Sequence, residues 1–257
     1  MANVLSDLQS GVLTLTLERP PVNALDLKTI TELQAAFNSA ARNKSVRCVV
    51  LTGSGATFCA GHDVTEMLAA RGEEISYRAH LQATYNPLIL QIRQIEKPVV
   101  AAINGPLAGA GLGIALACDI RLAADCARFT VGFSGIGLTL DSGVSLLLPA
   151  LTGLGRATEF AFTNTAISAE QALEWGLVNR LVPAAGLGCE TAALAASLAA
   201  GPTGAFGLIK RSFNRAVLPN LEEALDYEAH MQEIASTRSE HREGVASFLE
   251  KRSPHYT

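Results

Sequence analysis

An α/β protein built on a mainly parallel sheet is the architecture that the sequence predicts. Two short apolar segments, 46–52 (VRCVVLT) and 99–103 (VVAAI), are typical of strands buried on both faces. A segment with helical periodicity precedes each of them, and a glycine-rich turn follows the second. Strands that alternate with helices predict a sheet covered on both faces, with functional loops at the carboxyl ends of the strands.

The N-terminal part can be assigned element by element. Apolar and polar residues alternate over 12–17 after a Ser-Gly turn signal at 10–11, which predicts a hairpin. Asp26 is placed to cap a helix whose apolar residues share one face. The strands at 46–52 and 99–103 then follow their helices, so a β-hairpin leads into repeated helix-strand units.

The C-terminal part is predicted to be helical. Strand patterns become sparse after Val182, while the helix-start signals at 168–171 and 220–223 resemble capping boxes. We therefore divide the chain into a core of residues 1–198 and a C-terminal helical region of residues 199–257. This region is expected to pack on the core or on a neighbouring subunit.

Composition limits the classes of partner. With 257 residues and 49% hydrophobic content, the chain can bury one large core. A formal net charge of −4 disfavours nucleic acid and anionic membrane surfaces as partners. Five cysteines without a C-x-x-C pair fit a reducing compartment. No signal-peptide pattern or spanning apolar segment occurs, so we expect a cytoplasmic protein.

The first candidate functional segment is 57–67 (TFCAGHDVTEM). Asp63 is a good N-cap residue, and Glu66 follows three positions later, so a helix should begin there. Unpaired backbone N–H groups at a helix start can stabilise a developing oxygen anion. An ordinary capped helix is the competing interpretation. The side chain of His62 is expected to matter less than its backbone N–H.

The second candidate segment is 103–119 (INGPLAGAGLGIALACD). Glycines at 109, 111 and 113 between an apolar strand and an apolar helix allow the backbone to approach a ligand closely. A dinucleotide site is disfavoured because the glycine spacing departs from G-x-G-x-x-G and no acidic residue follows at the required distance. Close helix packing remains an alternative, especially for Gly113.

The third candidate segment is 129–149 (FTVGFSGIGLTLDSGVSLLLP), in which Asp141 is the single ionisable side chain. A carboxyl group among aliphatic residues would have a raised pKa if buried, as a general acid or base needs near neutral pH. Asp141 could equally cap the helix that follows. No G-x-S-x-G elbow, H-x-x-x-H pair or cysteine cluster occurs, so serine-hydrolase and metal sites are disfavoured.

Taken together, several motifs in register along the whole chain resemble the crotonase superfamily, the enoyl-CoA hydratase/isomerase family. They are AGHD at 60–63, AAINGPLAGAG at 101–111, ACDIRLA at 117–123 and EKRSP at 250–254. The resemblance implies a crotonase-like spiral of ββα units with a C-terminal helical trimerisation region. It also implies an acyl-CoA thioester as the substrate, with no further cofactor, and a homotrimer or hexamer.

The resemblance also implies site residues. The oxyanion donors fall on the backbone N–H groups of His62 and Ala110, both expected at helix starts, and Ala110 stands where the family usually has glycine. Contacts with CoA or substrate fall on Ala60, Gly61, Asp63, Met67, Gly109, Phe133, Lys210, Phe248 and Lys251. Walls of the acyl pocket are expected from residues 68–86 and from a neighbouring subunit. The apolar helical faces within 221–248, with Leu225, Ile234 and Val245 at intervals, are themselves expected to make subunit contacts.

Departures from the family pattern bear on the reaction. The two glutamates that activate water in enoyl-CoA hydratases correspond to Gly113 and Phe133, and neither can transfer a proton. The stretch 136–143 (IGLTLDSG) resembles phenylacetate-degradation-type enoyl-CoA and ring-epoxide isomerases, in which the aspartate moves protons. We therefore expect an isomerase in which Asp141 shifts a proton.

Three alternatives remain open on the sequence alone. The chain could be a hydratase in name with weak hydration, or Asp141 could be a nucleophile as in thioesterase or dehalogenase relatives. It could also be a non-catalytic acyl-CoA binding subunit, which the missing glutamates would permit.

Overall fold

Two sheets are formed by the part of the chain that the computed structural model describes, residues 2–69 and 76–256, with backbone alone for 67–69. Their strands are β1 (Val4–Gln9), β2 (Val12–Leu17), β3 (Cys48–Gly53), β4 (Val99–Ile103), β5 (Leu107–Ala108), β6 (Ile120–Ala124), β7 (Arg128–Thr130), β8 (Ile167–Ser168) and β9 (Arg180–Val182). The main sheet has the order β1-β2-β3-β4-β6-β9, parallel except for the β1-β2 hairpin. The small sheet has the order β5-β7-β8. The predicted hairpin and parallel sheet are confirmed.

Helices occupy most of the remaining chain. They are α1 (Leu27–Arg42), α2 (Val64–Ala69), α3 (Tyr77–Ala83), α4 (Tyr85–Gln94), α5 (Ala110–Ala117), α6 (Val144–Thr152), α7 (Leu154–Thr163), α8 (Ala169–Glu174), α9 (Leu187–Ala200), α10 (Thr203–Val217), α11 (Leu221–Ser236) and α12 (Ser239–Glu250). Asp26 caps α1 by accepting the Thr29 N–H, and Ser168 caps α8 by accepting the Gln171 N–H, as predicted. Asn220 precedes α11 but makes no side-chain cap hydrogen bond, so that capping prediction is wrong.

The central strands of the main sheet, such as β3 and β4, are buried on both faces because their side chains alternate between two apolar cores. In β3, Val49 and Leu51 belong to the larger core, which includes residues of α1, α4 and α5. Cys48 and Val50 face the smaller core, where α9 packs on the sheet. Such burial explains why β3 and β4 are continuous apolar runs in the sequence.

The C-terminal helices pack on the core of their own chain. α11 contacts α3, α4 and α6, and α12 packs against the 3₁₀ turn Ser134–Ile136. A Cβ at Gly244 of α12 would lie 2.5 Å from the Ile136 carbonyl carbon, so glycine permits this contact. Leu225 and Val245 are buried in the same chain, so the prediction that these two residues serve subunit contacts is wrong.

Candidate active site

The loops that follow β3 and β4 run side by side because these strands are parallel neighbours. Ala108 donates its backbone N–H to the Cys59 carbonyl oxygen at 3.0 Å, and Leu25 pairs with His62 in a further bridge. Gly61 has a φ of +90°, and a Cβ there would lie 2.9 Å from the Ala108 carbonyl oxygen. The close approach of the loops therefore requires glycine at position 61.

Unpaired backbone donors lie on both of these loops. The N–H groups of His62 and Ala110 have no hydrogen-bond acceptor among residues 2–69 and 76–256. Ala110 begins α5, so its N–H is one of those that a helix leaves unpaired. The preceding Gly109 takes the positive φ, +55°, which leaves Ala110 free of backbone strain. Two such donors can hold an oxygen atom that gains negative charge.

The expectation that both donors begin helices is correct only for Ala110. α2 begins at Val64 with Asp63 as the preceding residue, so His62 lies outside the helix. The bridge to Leu25 positions His62 instead, because Leu25 donates its N–H to the Gly61 oxygen at 2.7 Å and accepts the Asp63 N–H at 2.9 Å. β-type pairing therefore orients this donor.

Asp63 anchors the loop rather than presenting a free carboxylate. Its Oδ1 accepts the Thr65 N–H at 2.9 Å, and its Oδ2 lies 2.5 Å from Nη2 of Arg19. Arg19 also pairs with Asp26 at 3.0 Å and so joins the loop to the start of α1. The predicted contacts of Ala60, Gly61 and Asp63 with CoA stay predictions.

Asp141 lies in the loop before α6 and is 8% exposed. Ser142 Oγ donates to its Oδ1 at 2.7 Å, and Gln232 Nε2 donates to its Oδ2 at 2.7 Å. Burial raises the pKa of Asp141 to about 7; the nearby Glu228 carboxylate also raises it, while the two hydrogen bonds lower it. A carboxyl group with this pKa can both accept and return a proton near neutral pH.

The Asp141 side chain does not cap α6, so the capping alternative is wrong. Instead Glu228 of α11 accepts the Gly143 N–H on Oε2 and the Ser145 N–H on Oε1, both at 2.8 Å. Glu228 therefore satisfies the helix start, and the Asp141 carboxyl group is left for another role.

Glu228 and Gln232 are functional candidates that become visible only in the structure. They are 3% and 1% exposed and lie one turn apart on α11. The only signal in the sequence is a pair of polar residues at i and i+4 on the face that also carries Leu225 and Ala229. That signal does not identify their partners, since Gln232 lies 91 positions from Asp141.

Gly113 packs directly against the loop that carries Asp141. A Cβ at Gly113 would lie 2.5 Å from Ser142 Cβ and 2.7 Å from the Ser142 carbonyl oxygen. Any side chain would therefore displace the loop, and a glutamate at this position is incompatible with the observed backbone. The glycine is required for close packing, which is the alternative that the sequence left open.

Phe133 lies beside Gly109, the residue that precedes the unpaired N–H group of Ala110. It is 6% exposed, and its Cε1 would be 3.9 Å from a Cβ at Gly109. The structure thus brings together Gly61, Gly109, Ala110 and Phe133, four of the predicted site residues. An aromatic ring at this place supplies an apolar wall and no proton.

The His62 side chain contacts Tyr85 and His80, which no sequence motif singles out. Its Nδ1 lies 2.9 Å from the hydroxyl of Tyr85, and its ring packs edge-on against His80 at 5.1 Å. Burial and the His80 charge lower the pKa of His62 to about 4, so the imidazole is neutral. Burial, with the Asp141 charge adding to it, raises the pKa of Tyr85 well above its usual value. Tyr85 and His80 belong to the segment 68–86 that was expected to form pocket walls.

Lys210 does not fit its predicted contact with a CoA phosphate. The side chain is buried, and Nζ donates to the Ile92 oxygen at 2.7 Å and to Asp119 Oδ2 at 2.8 Å. A third acceptor, the Lys97 carbonyl oxygen, lies at 3.4 Å. The three donors of the ammonium group are therefore used inside the fold.

The remaining predicted contacts lie at the chain end or outside the described side chains. Phe248 is 60% exposed on α12, and Lys251 follows that helix at an exposed position with a φ of 53°. Their contact with CoA stays a prediction. The side chain of Met67 lies outside the described part of the structure.

Within residues 2–69 and 76–256, no three His, Cys, Asp or Glu side chains cluster in a way that could hold a metal ion. In the same ranges no single helix is long and apolar enough to cross a membrane. One pair of helical segments, Ala184–Ala200 and Thr203–Val217, reaches the required length and apolar character when the two are taken together, but a bend of 101° separates them.

Known proteins similar to this chain share its length and fold. The family model for enoyl-CoA hydratase/isomerase matches residues 7–257. The 1,2-epoxyphenylacetyl-CoA isomerase of Escherichia coli K12 is 39% identical over 100% of this chain and 99% of its own. The 4-chlorobenzoyl coenzyme A dehalogenase-2 of an Arthrobacter species is 37% identical, covering 94% of this chain and 88% of its own.

A solved structure agrees with these relatives. The crystal structure of an enoyl-CoA hydratase from Mycobacterium avium subsp. paratuberculosis K-10 has a TM-score of 0.89 and 34% identity, and the match covers 100% of this chain and 99% of the other. This chain therefore belongs to the enoyl-CoA hydratase/isomerase family, and its fold is crotonase-like. The predicted similarity to the ring-epoxide type of isomerase is confirmed by the Escherichia coli relative.

Proposed function

We propose that this protein isomerises an enoyl-CoA or a related acyl-CoA through an enolate, with Asp141 moving a proton between two carbons. The observation that carries the proposal is the Asp141 carboxyl group, which is buried, has a pKa of about 7, and is free of the capping role. Such a group accepts a proton as carboxylate and returns it as carboxylic acid without a second catalytic residue.

Substrate activation is assigned to the backbone donors. The thioester oxygen would accept hydrogen bonds from the N–H groups of His62 and Ala110, which lack acceptors among the residues that the structure describes. These bonds strengthen as the oxygen gains charge in the enolate, so they lower the barrier to removal of the carbon-bound proton. The pocket would be bounded by Phe133 beside Gly109 and by Tyr85 beside His62.

Efficient hydration is disfavoured by the same geometry. Hydratases of this family use two glutamates, and the corresponding positions are Gly113 and Phe133. The Ser142 backbone occupies the space that a side chain at 113 would need. Loss of general acid-base groups typically costs about 10²–10⁴-fold in rate. The His62 imidazole, with a pKa of about 4, is a poor replacement base.

The test is deuterium exchange from D₂O into a panel of acyl- and enoyl-CoA esters, followed by mass spectrometry. Asp141→Asn keeps the shape of the side chain, and it should bind CoA esters normally while exchange falls by roughly 10²–10⁴-fold. Asp7→Asn, at an exposed carboxylate, is the matched control and should exchange at the wild-type rate. Wild-type exchange in Asp141→Asn would rule out Asp141 as the base.

A second candidate reaction is supported by the dehalogenase similarity. In it, the Asp141 carboxylate attacks the acyl group or ring and forms a covalent intermediate. Trapping during a single turnover distinguishes the two reactions, because a mass increase on the peptide that contains Asp141 would support the nucleophile and contradict the base. A protein that binds CoA esters, exchanges no proton and forms no trapped adduct would instead be a non-catalytic binding subunit, and water addition at a weak rate would mark a hydratase.

Three further expectations belong to this proposal. The CoA thioester is the substrate, and we propose no additional cofactor. The protein is proposed to act as a homotrimer or hexamer in the cytoplasm. Exposed large apolar side chains support the assembly, Phe162 of α7 being 82% and Phe213 of α10 63% exposed.

A further inference from the structure

We propose that Gln232 and Glu228 of α11 are positioning residues for the Asp141 carboxyl group, Gln232 by holding its Oδ2 and Glu228 by fixing the turn that follows it. This inference rests on the proposed role of Asp141 and adds the groups that orient it and tune its proton affinity. Glu228 and Gln232 are 3% and 1% exposed, and their polar atoms are hydrogen-bonded inside the fold, so we assign them a role through Asp141.

The amide of Gln232 is held on both sides. Its Nε2 donates to the Asp141 Oδ2 at 2.7 Å and to the Thr139 carbonyl oxygen at 2.8 Å. Its Oε1 accepts the Thr139 N–H at 3.3 Å. Because the two Thr139 contacts fix the orientation of the amide, a donor is always directed at Asp141. A hydrogen bond to a carboxylate favours its ionised form.

Glu228 stabilises a turn that the backbone does not favour. Ser142 and Gly143 both have positive φ, 55° and 78°. A non-glycine residue in this region is uncommon and costs free energy. The two hydrogen bonds from Gly143 and Ser145 to the Glu228 carboxylate hold the turn, and through it the neighbouring Asp141.

Two titratable groups act on or face Asp141 in the part of the chain that the structure describes. Glu228 comes from α11, and Tyr85 comes from α4 with a phenol that stays neutral because burial raises its pKa. α5 and α6 carry no titratable side chain apart from their flanking residues. Removing the Glu228 charge should therefore lower the proton affinity of Asp141, whereas removing the Gln232 donor should raise it. A purely structural role would not produce shifts of opposite sign.

The experiment is the pH profile of α-proton exchange in the full-length protein. The midpoint is expected near pH 7 for wild type, lower by about one pH unit in Glu228→Gln and higher by about one unit in Gln232→Leu. Glu223→Gln, at an exposed position of the same helix, should keep the wild-type midpoint. Midpoints that stay at the wild-type value, or that move in the same direction, would overturn the inference.

A further variant, Gln232→Glu, tests the inference if Glu228→Gln does not fold. Gln232→Glu adds a carboxyl group about 2.7 Å from Asp141 and should raise the midpoint further than Gln232→Leu, since two carboxylates at this distance do not ionise together. An unshifted midpoint in Gln232→Glu contradicts the inference. If Asp141→Asn itself exchanges at the wild-type rate, the proposed function fails first; if Asp141→Asn is inactive and the α11 variants are unshifted, only this inference fails.

Discussion

Two buried charged residues of this chain differ in what surrounds them. Lys210 faces Asp119, an opposite charge, and two carbonyl oxygens, so the positive charge of its ammonium group is paired and hydrogen-bonded inside the fold. Asp141 faces two neutral donors and the like charge of Glu228. A buried carboxyl group without a cation keeps a high proton affinity, and this surrounding distinguishes a candidate catalytic group from a structural ion pair.

The burial of Asp141 should make the free energy of unfolding depend on pH. Its pKa is about 7 in the folded protein, against 3.8 for an exposed aspartate. The unfolded chain therefore loses this proton first, and the Asp141 contribution to stability falls as pH rises from about 4 to about 7 and is constant above. Asp141→Asn removes that dependence, so relative to wild type its free energy of unfolding should rise across this window, by at most roughly 4 kcal/mol.

Denaturant unfolding at pH 5 and pH 8 checks this prediction. The free energy of unfolding of Asp141→Asn minus that of wild type should be more positive at pH 8 than at pH 5. For Asp7→Asn this difference should be the same at both pH values. An equal difference at both pH values would mean that Asp141 is ionised at low pH in the folded protein as well.

The contact between Gly113 and Ser142 leads to a second prediction. Gly113→Ala should lower the free energy of unfolding by about 1–3 kcal/mol, the usual cost of overpacking, and should reduce exchange because Ser142 and Asp141 must shift. Gly188→Ala on α9 is the matched control, since its Cβ would meet nothing within 4 Å. It should leave exchange unchanged and stabilise by about 0.4–1 kcal/mol. Full exchange in Gly113→Ala would show that the loop tolerates displacement.

At the level of elements, the site depends on α11 approaching from the far end of the chain. The loops after β3 and β4 carry the unpaired N–H groups of His62 and Ala110, and α11 supplies the side chains that hold Asp141 and the turn after it. Helix α10, between them in sequence, is tied to the rest of the fold by Lys210. Its ammonium group reaches the Ile92 oxygen of α4 and Asp119, which precedes β6.

Lys210→Met should therefore affect stability and leave CoA binding unchanged. Breaking a buried ion pair typically costs about 3–5 kcal/mol, and the loss should be smaller in this case because Arg93 still pairs with Asp119 at 3.1 Å. Lys251→Met at an exposed position is the comparison and should leave the melting temperature unchanged. If the predicted contact of Lys251 with CoA is correct, this variant alone weakens CoA binding. Weakened CoA binding in Lys210→Met would contradict its structural role.

At the level of the whole molecule, exposed apolar side chains are concentrated on helices of the second half of the chain. Among those more than half exposed are Leu154, Phe162, Leu208, Phe213, Val217, Tyr227 and Phe248. Large exposed apolar surfaces mark protein interfaces. These residues support assembly in place of Leu225 and Val245, which the fold buries.

Light scattering should give a mass of three or six times 27.0 kDa. Phe162→Asp should shift the protein toward smaller species, because a charge is costly in an apolar interface. Ser197→Asp, at an exposed position of α9, adds the same charge and should leave the mass unchanged. A monomer in the wild-type protein at micromolar concentration would exclude the proposed assembly.

The sequence by itself determined the features that depend on local pattern and on motifs. The hairpin, the buried strands and the caps at Asp26 and Ser168 followed from spacing and residue type, because such signals act over a few positions. The family followed from the resemblance of several motifs in register along the chain. It also identified Asp141 as an isolated carboxyl group. Only the tertiary structure decided that Asp141 is free of capping and that Lys210 is an internal ion-pair residue.

The physical reason lies in the length of chain between partners. Gln232 and Glu228 lie 91 and 85 positions from the groups that they hold at Asp141 and Gly143. Whether a polar side chain at such a distance finds an acid, a backbone N–H or solvent is fixed by how α11 packs on α4 and α6. No pattern along the chain encodes that contact. The proton affinity of Asp141 depends on it and is therefore known only once the helices are in place.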